Sequence, residues 1–193
     1  MQKTTQISFL SFLQQFGELP TDLVDSIEQV VRKMEFPKKH ILVKKGNVCN
    51  YLYFMEKGLA RNFFEEDDKE LTNDIVLEGE LLVSFSSFIS RTASLETIEL
   101  LEDCVLYAIH YDDLQTLYNT FPIMERIGRM IAEHHYNSLA MRSYRLKFSN
   151  SSERYQYLFE NKIEIVKRAP LGVIASYLGM TIENLSRIRG KVN

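Results

Sequence analysis

The sequence predicts an α+β fold in which a β-sandwich or barrel lies between helices and is followed by one long helix and a helix–turn–helix. Three observations carry this expectation. Hydrophobic spacing is helical near both ends and shifts towards a period of two in the middle of the chain. Glycines and an acidic cluster cut that middle part into short runs at regular intervals. A proline-free stretch follows Pro122 as far as about Phe148, and Gly179 later separates two short amphipathic segments.

Composition bounds the answer. The chain has 193 residues, 45% hydrophobic and 25% charged, which suits one domain or two small ones with a true core. That balance excludes a disordered chain or a coiled-coil rod. No apolar run reaches the 18 or so residues of a membrane span. The start, Met1-Gln2-Lys3-Thr4-Thr5-Gln6, lacks the basic-then-apolar layout of a signal peptide, so a cytoplasmic protein away from membranes is expected. Two cysteines, Cys49 and Cys104, are too few for a disulfide framework, a four-cysteine zinc site or an ordinary iron–sulfur cluster.

Charge is unevenly spread. Residues 1–121 carry 11 lysines and arginines against 20 acidic residues, a net of −9; residues 122–193 carry 12 against 6, a net of +6. An acidic body with a basic C-terminal part suggests that this part meets a polyanion, although chance clustering of solvated charges gives the same count.

The first 35 residues read as helical, with stripes Phe9, Phe12, Leu13, Phe16 and then Leu23, Val24, Ile27, Val30, Val31. From Phe36 come short runs at 41–43, 51–55, 59–64, 71–77, 95–101 and 105–109, broken by Gly46, Gly58 and Glu65-Glu66-Asp67-Asp68. Helix returns near Tyr111, with Leu114 and Leu117 on one face, and stops before Pro122. Proline in a first turn suits a helix start. In the long segment that follows, Ile123, Ile127, Met130, His134, Asn137, Met141, Tyr144 and Phe148 alternate by four and three, the spacing of a heptad seam. A second stripe, Ala132, Tyr136, Leu139 and Leu146, faces elsewhere. Burial against a second copy and burial within one chain both remain open for this helix.

Ser149-Asn150-Ser151-Ser152 marks the best boundary, giving three parts: 1–121, 122–148 and 149–193. Ser151 or Ser152 is expected to cap a helix with stripe Tyr155, Leu158, Phe159, and 163–166 reads as a short extended piece. Pro170 then opens a helix whose buried face is Ile174, Tyr177 and Leu178, with Ala175 small enough for close approach. Gly179 supplies the left-handed turn position, Thr181 caps the next helix, and Glu183 lies in its first turn. Leu185 and Ile188 pack that helix back, and the Ala–(x3)–Gly–(x5)–Leu spacing is that of a helix–turn–helix. Its outward residues include Thr181, Ile182, Glu183, Asn184, Ser186, Arg187, Arg189 and Lys191. Arginine can pair with guanine, asparagine with adenine, and glutamate can accept from cytosine, so the partner expected is double-stranded DNA. A polar-faced helical hairpin is the plainer alternative.

The chain here resembles the Crp/Fnr family of bacterial transcription regulators over nearly its whole length. Lys45-Gly46 through Lys57-Gly58, two glycines bracketing a Leu-Tyr strand, is similar to the family's roll signature, and Glu183-Asn184-Leu185-Ser186-Arg187 resembles its recognition helix. The resemblance implies a double-stranded β-helix (jelly roll) that senses an effector, a dimerisation helix at 122–148, and a C-terminal helix–turn–helix as a reduced winged helix. It makes Glu183 and Arg187 base readers, and RNA polymerase a partner if the protein activates. Ile182 stands where the family often has a polar or basic residue.

On the same resemblance, Gly79-Glu80-Leu81 matches the element whose glutamate takes a ribose hydroxyl, and Arg91-Thr92-Ala93 the element that takes a cyclic phosphate. Counting back from the strand at 98–109, the family's arginine falls near Ser94, so Arg91 reaches a phosphate only if the segment 84–88 bulges. The effector candidates are Glu80, Arg91, Thr92, Ser94, His134 and Asn137. A cyclic nucleotide stays open as cofactor; an unknown ligand, or none, is the stronger expectation. The four-cysteine iron–sulfur branch does not fit two cysteines, and isolated histidines give no haem signal.

An enzyme is the competing class. No His-x-His cluster lies on the strands, and no P-loop, Gly-x-Ser-x-Gly or Gly-x-Gly-x-x-Gly is present. No catalytic or metal-binding residue is therefore nominated. A roll that binds a protein or ligand without touching DNA is the other alternative; it leaves the basic C-terminal helix unexplained.

Overall fold

The computed structural model describes residues 6–67 and 69–192. Asp68 of the acidic turn lies outside the described residues, as do Met1–Thr5 and the side chain of Lys191. Two helices, α1 (Gln6–Gln14) and α2 (Thr21–Val30), precede the strands β1 (Arg32–Phe36), β2 (Ile41–Val43), β3 (Tyr51–Lys57), β4 (Ala60–Glu66), β5 (Lys69–Val76) and β6 (Leu81–Leu82). A short helix α3 (Phe85–Ser90) interrupts the series before β7 (Glu96–Leu100) and β8 (Cys104–His110). The helices α4 (Tyr111–Thr120), α5 (Pro122–Phe148), α6 (Ser151–Asn161), α7 (Ile163–Arg168), α8 (Leu171–Tyr177) and α9 (Ile182–Val192) complete the chain.

The strands form two four-stranded antiparallel sheets, ordered β1-β8-β3-β6 and β2-β7-β4-β5. Facing sheets with crossing connections are a jelly roll. The tight β3–β4 turn uses Gly58 at φ +113, where an added Cβ would run into the Cys104 sulfur and the Asp103 carbonyl; only glycine fits both constraints. One core fills the roll between the sheets and extends under α1, α2, α4 and the first turns of α5, through residues such as Phe9, Leu23, Phe54, Ile98, Leu106, Leu114 and Ile127. A second core joins the C-terminal helices to the outer face of the second sheet: Tyr155, Leu158, Ile165, Ile174, Leu185 and Ile188 share it with Leu59, Ile75 and Leu101.

Several local expectations need correction. The N-terminal helical stretch ends at Val30, because Arg32–Phe36 pair antiparallel with β8, with Met34 opposite Leu106. The segment 84–88 forms most of α3 rather than a bulged loop. Residues 163–166 are helical, not extended: Ile165 and Val166 are buried in the second core, and Glu164 at the start with Lys167 and Arg168 at the end suits the helix dipole. The cap of α6 is Asn150 rather than a serine, in a capping box: Glu153 N–H donates to Asn150 Oδ1 at 3.0 Å and Asn150 N–H to Glu153 Oε2 at 2.9 Å.

Candidate functional site

The C-terminal helices present the first candidate surface. Tertiary packing fixes α8 and α9: Ile174, Ala175 and Leu178 are buried on one side, Leu185 and Ile188 on the other. At the turn, Gly179 (φ +62) donates to Ser176 O at 3.1 Å and Met180 N–H reaches Ala175 O at 3.0 Å, closing the end of α8. Thr181 Oγ1 then accepts the Asn184 N–H at 3.2 Å and caps α9.

This leaves Thr181, Ile182, Glu183, Ser186 and Arg187 exposed on α9 and its cap, with Asn184 and Arg189 half-buried beside them. Arg187 Nη2 donates to Asn184 Oδ1 at 2.9 Å, one turn back, so these two groups are already paired. The Glu183 carboxyl sits below its ordinary range, held by its own N–H at the helix start and by the Thr181 hydroxyl. Arg168, one of the basic residues of the C-terminal part, is committed to the roll: its Nη2 lies 2.6 Å from Glu102 Oε2 and 2.8 Å from Glu78 Oε1. That clamp holds the Glu78 carboxyl down to about 2 and ties the helical head to the roll. Lys167 stays on the surface, bonded to Glu164 at 2.8 Å.

The long helix α5 behaves differently in its two halves. Met124 and Ile127 are buried against the roll. Further along, Tyr136 (74% exposed), Met141 (46%), Tyr144 (56%) and Phe148 (72%) stand in solvent. Full burial within one chain therefore reaches only the first turns, although His135 and Arg142 further along still touch the rest of the chain.

A cavity of about 960 Å³ lies where the second sheet, α5 and the C-terminal helices meet. Of the six effector candidates, Glu80, His134 and Asn137 line it; Arg91, Thr92 and Ser94 do not. Arg91 ends α3 in the left-handed region (φ 58), and its Nη1 donates to Cys49 O at 2.8 Å while Nη2 donates to Asn50 Oδ1 at 2.6 Å. The guanidinium lies 4.0 Å over the Tyr111 ring, so it locks α3 onto the β2–β3 loop and α4. Thr92 is exposed, its hydroxyl 2.6 Å from Ser90 Oγ; Ser94 is buried, sharing its hydroxyl with Ser84 at 2.8 Å. Glu80 is paired with Lys162 at 2.8 Å.

Other lining groups escaped the sequence reading. Asn62 and Asp74 are cross-strand partners on β4 and β5, and Glu96 opposes Phe64, so all three reach the inner face of one sheet. Arg142 of α5 bonds Asn73 Oδ1 at 3.1 Å and the carbonyls of Thr72 and Tyr177 at 3.3 and 3.4 Å, linking long helix, roll and head. His135 stacks on Phe85 at 4.8 Å, and burial pushes its pKa below the usual value. The signal for Asn62 was present, a polar residue amid the apolar run 59–64. Both cysteines are buried and free, Cys49 in the roll core and Cys104 beside Gly58. Among the described residues no group of three or more His, Cys, Asp or Glu is placed to hold a metal ion, and no helix is long and apolar enough to cross a membrane.

Residues 33–121 match the cyclic nucleotide-binding domain family. The chain is 26% identical over 188 residues to the anaerobic regulatory protein of Pasteurella multocida, covering 91% of this chain and 67% of that one. Its fold is shared with FixK2 from Bradyrhizobium japonicum (TM-score 0.73, 16% identity, 84% of each chain). It is shared also with the catabolite activator protein of Thermus thermophilus (TM-score 0.59, 17% identity, 94% of this chain and 86% of that one).

Proposed function

The chain belongs to the Crp/Fnr family of transcription regulators, and from that premise we propose that it binds double-stranded DNA as a homodimer and responds to an effector held in its roll. One observation carries the DNA reading. Helix α9 turns Leu185 and Ile188 into the head and leaves Glu183, Ser186 and Arg187 outward, at the N-terminal half that a recognition helix inserts into a major groove. Arg189 and Lys191 would follow on phosphates.

The exposed half of α5 supports the dimer. Met141, Tyr144 and Phe148 share one face of the helix and stand in solvent, and a second copy of the helix would cover them. On this reading 1–121 senses, 122–148 dimerises and 149–193 reads DNA, in the cytoplasm and without catalysis. Cyclic AMP in its usual pose is disfavoured, because the phosphate-binding arginine it needs is spent on Cys49, Asn50 and Tyr111. RNA polymerase is a partner if the regulator activates.

The test is selection of random duplex DNA by the purified protein at fixed salt, with and without cyclic AMP. The expected result is an enriched near-palindrome without nucleotide, its half-sites centred roughly 34–36 Å apart. Absence of enrichment in both arms would overturn the DNA reading.

A further inference from the structure

The helical wall of the cavity carries more positive charge than its neighbours answer. Arg142, Arg145, Arg154 and Lys162 all line the space of about 960 Å³. Lys162 is paired with Glu80 at 2.8 Å. Among the described residues none of the three arginines has an acid within ion-pair distance. Two other guanidinium groups of the chain show the usual arrangement: Arg61 lies 2.6 Å from Glu99, and Arg168 2.6 Å from Glu102.

The acids that face the same space are provided for on the sheet side. Glu96 receives the Asn73 amide at 3.3 Å and a bond from the Ser84 side chain. Asp74 accepts the Ile75 N–H at 2.9 Å and lies in the field of Lys162 and, more weakly, of Arg142. Neither acid pairs with Arg145 or Arg154.

Arg142 is held loosely. Its Nη1 donates to Asn73 Oδ1 at 3.1 Å. Its Nη2 is shared between the Thr72 and Tyr177 carbonyls at 3.3 and 3.4 Å, beyond the ~2.7–2.9 Å of a charge-assisted bond. Its Nε–H is buried and has no partner among the described residues. A buried charged donor without an acceptor is costly. Arg145 follows one turn later on the same face of α5, and its guanidinium rests on the Tyr157 ring at 3.9 Å without a hydrogen bond among the described residues. Arg154, by contrast, donates to the carbonyls of Leu178 and Ser149 at 2.8 and 2.6 Å, so it adds charge more than open donors.

An arginine Nε and its neighbouring Nη form a side-on fork that fits two oxygens of a carboxylate or phosphate. We propose that the head end of this cavity binds the oxyanion group of a small organic acid, a carboxylate or a phosphate, on Arg142 Nε and the Arg145 guanidinium. The proposal rests on the reading of the roll as an effector domain and names the chemical class of that effector. It places the anion on the long helix and not at Arg91, whose guanidinium is spent on Cys49, Asn50 and Tyr111. Arg142 also holds the Tyr177 carbonyl at the end of α8, so an anion that draws Arg142 to itself loosens one tie between the long helix and the head.

The experiment is titration calorimetry of the full chain at constant ionic strength with succinate, glycerol 3-phosphate and, as the neutral control, glycerol. At least one of the two anions is expected to bind, and which one binds tells a carboxylate ligand from a phosphate ligand. Glycerol is expected to give no heat of binding. Arg145→Gln removes a charge that touches only Tyr157 and should weaken anion binding about tenfold or more. Arg142→Gln should weaken it as much, and Arg142→Lys, which keeps the charge and loses the fork, should not restore it. Melting temperatures report whether each variant is folded, and Arg145→Gln decides alone if the Arg142 variants are not. The proposal is overturned if neither anion binds, if glycerol binds as tightly, or if Arg145→Gln binds the anions as the parent does. DNA selection on the same preparation separates the two readings: a palindrome without anion binding sinks only the ligand class, and anion binding without a palindrome sinks only the DNA reading.

Discussion

Ser176 of α8 completes the edge of the roll at Thr72: its Oγ accepts the Thr72 N–H at 2.8 Å and donates to the Glu70 carbonyl at 3.0 Å. Strand β5 is the outer strand of its sheet and would otherwise present these groups to solvent or to another chain. The first helix of the helix–turn–helix therefore also covers an edge of the roll.

Arg187→Ala should cost about 1–3 kcal/mol of binding to the selected site and relax preference at one base pair. Fluorescence anisotropy on single-base-pair variants of the site measures both. An equal loss on specific and random duplexes would show that Arg187 contacts only the backbone.

Tyr144→Glu should turn the dimer into a monomer, because Tyr144 is 56% exposed in the middle of the uncovered seam. A charge there would be buried without a partner on association. Sedimentation equilibrium reads the mass; a dimer of unchanged strength would move the interface elsewhere.

Acid should loosen the joint between head and roll. The Glu78 carboxyl lies at about 2 when folded, below its ordinary 4.5, chiefly through Arg168. A depressed carboxylate stabilises the fold above its unfolded value, and that contribution fades as pH falls from about 4.5 towards 2. Its side chain is 38% exposed, so after solvent screening the effect is ~1 kcal/mol or less. Melting temperature against pH should fall less steeply over that window in Glu78→Gln than in the parent.

Two glycines in the head should respond in opposite directions to alanine. At Gly179 a Cβ would meet only Leu146 at 3.5 Å, so the penalty is backbone strain at φ +62, about 1–2 kcal/mol. At Gly190, inside α9, a Cβ meets nothing within 4 Å, and alanine should stabilise by roughly 0.5–1 kcal/mol. Urea unfolding of both variants gives the comparison.

The parts legible in the sequence are those set by local spacing. Pro122 and Phe148 bound α5, and the Ala175–Gly179–Leu185 spacing gives the helix–turn–helix with Thr181 as its cap. Arg91 was readable only as a motif, because its direction depends on α3 ending in a left-handed residue and on an Asn50 contact from another loop. Asp74 and Glu96 were hidden for a different reason. Each is one of several polar residues in its strand, and the register of β4 against β5 and β7, with its shift at Asn62 and Phe63, decides which face they share. Val166 shows the same override in reverse, a β-branched residue drawn into a helix by the core it fills.

Leu59, Ile75 and Leu101 of the second sheet are buried among head residues such as Ile165, Ile174 and Leu185. The roll and the C-terminal helices thus share one apolar interior, so unfolding either strips cover from the other. Heating should give a single calorimetric peak whose enthalpy matches the van 't Hoff value. For the same reason, a fragment cut near residue 149 would leave both pieces with exposed core residues and a tendency to aggregate.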